Sequence, residues 1–496
     1  MEIDRLWQAC LESAPNMAPE DLANPAPALE QLLQDTRALE HVRGLLGGIW
    51  GQLPTDPGAA VLEATLGIQV ARKHNDDLLV ARLLQRRSAG RFLVGERLKA
   101  SSDAEAALAL LTHVALTPAQ RAEERAATLA LLANAQIALG KIPKALIALE
   151  EAISIAEARG LTAALGGYLS SVGNARLVQG RLREAADYYR RALELAERCS
   201  HPLGRAVNLG NLGLVHLALG DLEQAGEDLG AGLALAEELG NRHTCSLLLA
   251  NLGLVHLEQG ALLAARGACA RALGFAQQTG LKAGAARIEL RLARIEREAG
   301  ELDAADAHLE RADAELAPRD PYRAELAVER GWVLWARGAG QRAAASLQQG
   351  LALAERLGDV RLALQARVAL GYATARAGYL DKARATLEQA VAEADELEDV
   401  LWGARARIAL AEVLAGQAEA DAAQAALDPL ASTPLPQPLR NRTRLAQLAV
   451  DWLRGAREQI AEKLEAIAAA AHERGWGQLE RETRARLASV RASERA

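Results

Sequence analysis

Arg287, Arg291, Arg294 and Arg297 recur at i, i+4, i+7 and i+10, the spacing that lays side chains along one stripe of an α-helix. Guanidinium forks in such a row bind carboxylates. Trp332 and Trp335 follow, then Tyr372 and Arg376, so the segment would suit an acidic or aromatic-containing peptide. Asn134, Asn174, Asn211 and Asn251 supply a different chemistry. An asparagine amide bonds both the N–H and the C=O of an extended chain, a grip independent of sequence. Each group also has a plainer reading. The asparagines would cap turns or face water, the arginines would pair with Glu289, Glu296 and Glu298 on a solvated helix, and the tryptophans would fill the core.

Catalytic motifs are poor. No G-x-x-x-x-G-K-[ST] occurs, and Leu139-Gly140-Lys141 reads as a structural turn. His216 and His256 occupy equivalent places 40 residues apart. Packed helices lie ~8–10 Å apart, too far to share a zinc with bonds of ~2.0–2.1 Å. Core packing is expected of them, and no metal or cofactor is expected of the chain. Cys245 and Cys269 lack C-x-x-C spacing and read as small buried residues. Arg481–Arg495 is interspersed with Glu480, Glu482 and Glu494, so a solvated face is expected there rather than a nucleic-acid contact.

The elements that position these residues follow from composition and period. Half of the 496 residues are apolar but only 3% are aromatic, and Ala is about a fifth, which favours helices packed by close backbone approach. A net charge of −7 gives no global pull on nucleic acid. No stretch approaches the ~18 apolar residues of a membrane span, and MEIDRLWQACLESAP lacks the basic start of a signal peptide. With four cysteines and no disulfide framework, a soluble cytoplasmic protein is expected.

NLGLVHLALGDLEQA from Asn211 returns as NLGLVHLEQGALLAA from Asn251. In that frame small residues fall at Ala133, Gly173, Gly213, Gly253, Ala293, Gly331, Gly371 and Ala411. Seven residues on come Gly140, Gly180, Gly220, Gly260, Gly300, Gly338, Gly378 and Ala418, and five further on all eight units carry Ala. The spacing predicts a first helix with a small residue midway, a glycine turn, and a second helix that starts small and then plugs the contact with Leu149, Tyr189, Leu229, Cys269, Leu309, Leu347, Leu387 or Leu427. Second breaks fall twenty residues after the turns, at Gly160, Ser200, Gly240, Gly280, Asp320, Gly358 and Glu398. Pro318 and Pro321 account for one 38-residue spacing by ending a helix.

The Leu212-Gly213, His216, Gly220, Ala225, Leu229, Gly232 pattern resembles the tetratricopeptide repeat, in the 40-residue form of kinesin-light-chain-like adaptors and some bacterial regulators. HEAT-like repeats have a similar period but not this Leu-Gly, Gly, Ala spacing. The resemblance covers residues 126–430 and implies an all-α, right-handed superhelical solenoid of antiparallel helix pairs. Helical capping elements are expected over 1–91, including a pair at Pro27–Leu53 and Pro57–Asn75. A degenerate repeat is expected over 92–125, with Leu93 and Glu105 at its small positions. A proline-rich break at 431–438 precedes a degenerate hairpin and capping helix over 439–496.

The resemblance further implies that the first helices line a concave groove, which would contain the asparagines, arginines and aromatics named above. The expected function is a non-enzymatic scaffold or adaptor that holds a protein or peptide segment in that groove. The alternative is a peptide- or ligand-sensing regulator, resembling bacterial peptide receptors of this repeat class or the sensor arm of STAND-type regulators without their ATPase and helix-turn-helix modules. An enzyme, for instance a phosphatase working through the N-terminal helices, has the least support. Exposed apolar surface at the ends of the solenoid leaves homo-oligomerisation open.

Overall fold

The computed structural model describes residues 2–13, 27–53, 56–318, 320–456 and 459–495. The part of the N-terminal region at 14–26 lies outside them. Among the described residues there are twenty-five α-helices and no strand. The eight expected units are antiparallel hairpins, from Pro118–Ala138 with Ile142–Arg159 to Val400–Gly416 with Ala420–Leu427. Every predicted turn residue takes a left-handed backbone, with φ from 73° to 89° at the seven glycines. Ala418 adopts it too, at φ 62°, despite its Cβ.

The packing inside each hairpin follows from the small position. In the Pro202–Leu219 and Leu222–Glu238 hairpin, a Cβ on Gly213 would stand 2.6 Å from Leu229 Cγ and 3.1 Å from the Ala225 carbonyl oxygen. Gly173 faces the Tyr189 ring in the same way, and Gly253, Gly331 and Gly371 face Cys269, Leu347 and Leu387. All eight plugs are buried. Tyr189, the largest, also donates its hydroxyl to Asn174 Oδ1 at 2.8 Å.

The first helices of successive repeats touch each other as well, which places them on the inner side of the solenoid. The coil closes on itself. Arg183 meets Glu398 at 2.7 Å, Arg97 meets Asp320 at 3.0 Å, and the Trp476 indole N–H donates to the Gly260 carbonyl at 2.8 Å. These partners are 215, 223 and 216 residues apart, between five and six repeats.

Three expectations change. The Pro27–Leu53 element is two helices, Pro27–Gln34 and Arg37–Gln52, divided where Asp35 accepts the Arg37 backbone N–H at 2.9 Å. The degenerate repeat is a hairpin of Asp77–Leu93 and Arg97–Leu111 turning at Gly95, so Ser88 and Ala100 occupy the places assigned to Leu93 and Glu105. The Ser88 hydroxyl donates to the Ala100 carbonyl at 2.8 Å. The frame slips because residues 112–117 form a non-helical connection before Pro118. Finally, the Arg-rich Gly477–Arg495 helix is not simply solvated. Arg481 donates to the Gly300 carbonyl at 2.9 Å and Arg486 to Glu412 at 2.6 Å.

Gly to Ala inside a helix ordinarily stabilises by ~0.5–1 kcal/mol. Gly213→Ala should instead destabilise, by ~1–3 kcal/mol, through overpacking against Leu229 and the Ala225 carbonyl, and Gly213→Leu by more. Thermal unfolding measures it; an unchanged or raised melting temperature for Gly213→Ala contradicts the packing.

Candidate ligand chambers inside the superhelix

The 40-residue period fixes which side chains share a register on the inner helices. Asn134, Asn174, Leu214, Leu254 and Arg294 occupy one, and Asn211, Asn251 and Arg291 another. Glu258 and Glu298 share a third, each two residues before its turn glycine.

Charge is gathered near the middle of the coil. Glu258, 7% exposed, accepts from Arg294 at 2.7 Å and from Arg405, 147 residues on, at 2.6 Å. Both guanidinium groups also stand against the Trp402 ring, at 5.6 and 4.7 Å from its centroid. Burial pushes the Glu258 carboxyl up, but Arg405 and Arg294 hold it below the usual carboxylate range. Glu298 accepts from Arg297 at 2.8 Å and faces Arg442 at 3.4 Å. Against burial, these cations hold it down to about 2.

Beside this network lie two adjoining cavities. The first, about 260 Å³, is lined by Arg287, Arg291 and Arg294 together with Glu258, Glu325 and Trp402. The second, about 270 Å³, is lined by Asn134, Asn174, Arg97 and Tyr322. Val178, Arg287, Glu325, Asp359 and Leu362 border both. Arg97 and Arg287 stand over the Tyr322 ring, 5.0 and 5.2 Å from its centroid, and Arg287 also faces Glu325 at 3.7 Å.

Of the candidate residues, five therefore converge: Asn134, Asn174, Arg287, Arg291 and Arg294. Asn211 donates to Ser170 Oγ at 3.4 Å and Asn251 is buried; neither borders these two cavities. Trp332, Trp335 and Tyr372 pack as an aromatic cluster with centroids 5.4–5.6 Å apart. Arg297 stands on the Trp332 face and the exposed Arg376 on that of Trp335. The solvated pairing of the arginine stripe does not occur as expected. Glu289 binds His308 and Arg311, Glu296 binds Arg266, and only Glu298 binds a member of the stripe, Arg297.

His216 has its ring Nδ1 2.7 Å from Asp228 Oδ2 across its hairpin, and Cys245 and Cys269 are buried free thiols. Burial pushes the Cys269 thiol up to about 11. Sequence reasoning missed Glu258, Trp402, Arg405, Tyr322 and Glu325. The shared register of Glu258 and Glu298 was a readable signal; Trp402, Arg405 and Tyr322 face residues from distant repeats, and Glu325 faces Arg287 of the neighbouring one.

The comparisons agree with this architecture. The tetratricopeptide repeat family model matches residues 166–238. With the same frame recurring from Pro118 to Leu427, the described residues form a helical solenoid of the tetratricopeptide-repeat-like fold. No curated protein matches it. Among solved structures, the Rap conjugation gene regulator of plasmid pLS20 in complex with the Phr* peptide is 16% identical, with a TM-score of 0.51 over 65% of this chain and 98% of that one. NprR in complex with its cognate peptide NprX is 16% identical, with a TM-score of 0.49 over 67% and 98%. Aspartyl phosphate phosphatase F from Bacillus subtilis is 14% identical, with a TM-score of 0.44 over 71% and 92%. The first speaks for the fold alone, and the other two are too distant to carry an argument.

A carboxyl depressed in the fold contributes stability above its unfolded pKa, about 4.3, and that contribution is lost as pH falls through the folded value. For Glu298 the window runs from about 4.3 to about 2. Glu258→Gln strands two arginines and should cost about 3–5 kcal/mol at pH 7. Urea unfolding between pH 7 and pH 2.5 should show the gap between wild type and Glu258→Gln narrowing as Glu258 protonates. A gap independent of pH means that Glu258 is not held as an ion pair.

Proposed function

We propose that the protein is a non-enzymatic, peptide-sensing regulator that holds a short peptide segment along the inside of its superhelix. The observation that carries this reading is the pair of adjoining cavities, with amide donors and acceptors at Asn134 and Asn174 and guanidinium groups at Arg287, Arg291 and Arg294. Paired amides grip a peptide backbone, and arginine forks select acidic groups. Together the cavities fall in the ~300–1,000 Å³ range of ligand pockets. The pLS20 regulator, which shares the fold, is solved in complex with a Phr* peptide.

Sensing is favoured over passive scaffolding by where the walls come from. A peptide in these cavities would touch Asn134 and Asn174 near one end of the array and Tyr322, Asp359 and Leu362 several repeats later. Occupancy would tie those repeats together, so a ligand with differential affinity for open and closed coils would shift the shape of the whole solenoid. An adaptor with an open trough would not need that coupling.

Incubation of the full chain with a random heptapeptide pool, followed by mass spectrometry of the retained peptides, tests the reading. Wild type should retain a subset enriched in Asp and Glu, and the Asn134→Ala/Asn174→Ala double variant should retain it at least tenfold less. Retention of nothing by wild type, or of the same peptides by the folded double variant, rejects the assignment.

A further inference from the structure

Arg291 differs from its neighbours in the first cavity. It is 4% exposed, and among the described residues it has no ion pair, while its Nε–H finds no acceptor. Arg294 is bound by Glu258, Arg287 faces Glu325, and Arg361 is bound by Asp399 at 2.8 Å. The register explains the exception: Arg291 stands where the two preceding repeats carry Asn211 and Asn251, so a neutral amide position has become a cation.

The acids around the cavity do not supply its missing partner. Glu258 and Asp399 are taken up by arginines, and Glu325 is shared with Arg287. Burial pushes the carboxyls of Glu329 and Asp359 upward, towards the neutral form. Burial and the neighbouring Arg287 pull Arg291 itself down to about 10, which still leaves it charged at neutral pH. An uncompensated buried cation costs stability, and an anion of matching shape entering beside it would recover that cost.

We propose that Arg291 seats a ligand carboxylate in the first cavity, the guanidinium fork donating to its two oxygens. This rests on the peptide reading for its biological ligand, but the site itself would also take a free carboxylic acid. The carboxylate comes from a peptide C-terminus, an acidic side chain or a small dicarboxylic acid, all of which present the same group. A carboxamide presents one donor where the fork needs an acceptor, so it should be refused. Trp402, on the cavity wall, provides a fluorescent reporter.

Four probes separate the sources on the full chain: penta-alanine as free acid, penta-alanine amide, Ala-Ala-Asp-Ala-Ala amide, and glutarate. Titration followed by tryptophan fluorescence and calorimetry should show at least one carboxylate-bearing probe binding tenfold or more tightly than penta-alanine amide. The probe that binds names the source. Arg291→Met should lose that binding while melting at or above the wild-type temperature, because it removes an unpaired buried charge. Arg291→Lys should keep a weakened form of it.

Equal binding of acid and amide, or unchanged binding in Arg291→Met, overturns the proposal. So does a large fall in the melting temperature of unliganded Arg291→Met, which would mean that the cation is already satisfied. If heptapeptides are retained through Asn134 and Asn174 while no carboxylate probe depends on Arg291, this inference fails and the peptide reading survives. Glutarate binding through Arg291 with no peptide retention gives the reverse.

Discussion

Everything above a single hairpin depends on a helix giving up its side chain where its partner inserts one. Gly213 does so for Leu229, Gly173 for Tyr189 and Gly371 for Leu387. The vacancy on one helix and the bulk on the other fix both the separation and the rotation of the pair, and repetition makes that rotation accumulate. A chain with so few aromatics can bury its helices this way, because alanine and glycine remove bulk from the contact instead of adding hydrophobic area to it.

Accumulated rotation brings the sixth repeat back over the first. The left-handed turns then meet a second layer: Gly180 lies against Leu397, Gly220 against Val400, and Gly260 against Trp476 and Pro438. The turn glycines therefore serve twice, once to reverse the chain and once to let another turn of the coil come close. Closure also brings acids and arginines from distant repeats into one interior, where Glu258 joins Arg294 to Arg405 and Arg442 joins Glu298 to Glu482. Such a network adds little net stability over an apolar core, but it demands one register between turns, since a shift strands several charges. Specificity of coil closure and a polar interior suited to a ligand are two consequences of the same arrangement.

The legible part of the molecule was the local part. Turn, alanine and plug lie within about sixteen residues of one another, so the hairpins could be read from spacing alone, down to Ala418 in a glycine's place. The N-terminal hairpin was misplaced because 45 residues, not 40, separate Gly95 from Gly140. The arginine stripe was legible as a stripe, but its partners were not. Sequence offered Glu289 and Glu296 on the same helix, whereas Arg294 and Arg287 pair with Glu258 and Glu325 of the neighbouring repeats. The terminal helix looked like a solvated cap because Gly300, which it covers, and Gly260, which the adjoining Trp476 covers, lie roughly two hundred residues upstream.

The contact of one turn of the coil with the next is the claim on which the enclosed interior stands, and the Trp476 indole reports it directly. Hydrogen exchange of indole N–H groups by NMR, with Trp476→Phe to assign the resonance, measures whether that proton is held by the Gly260 carbonyl. The Trp476 signal should persist in deuterated solvent long after exposed indoles have exchanged, and its exchange should quicken when Gly260 carries a side chain. Exchange at the rate of a free indole in the folded wild type would mean that the coil is open and that its interior is not the site described.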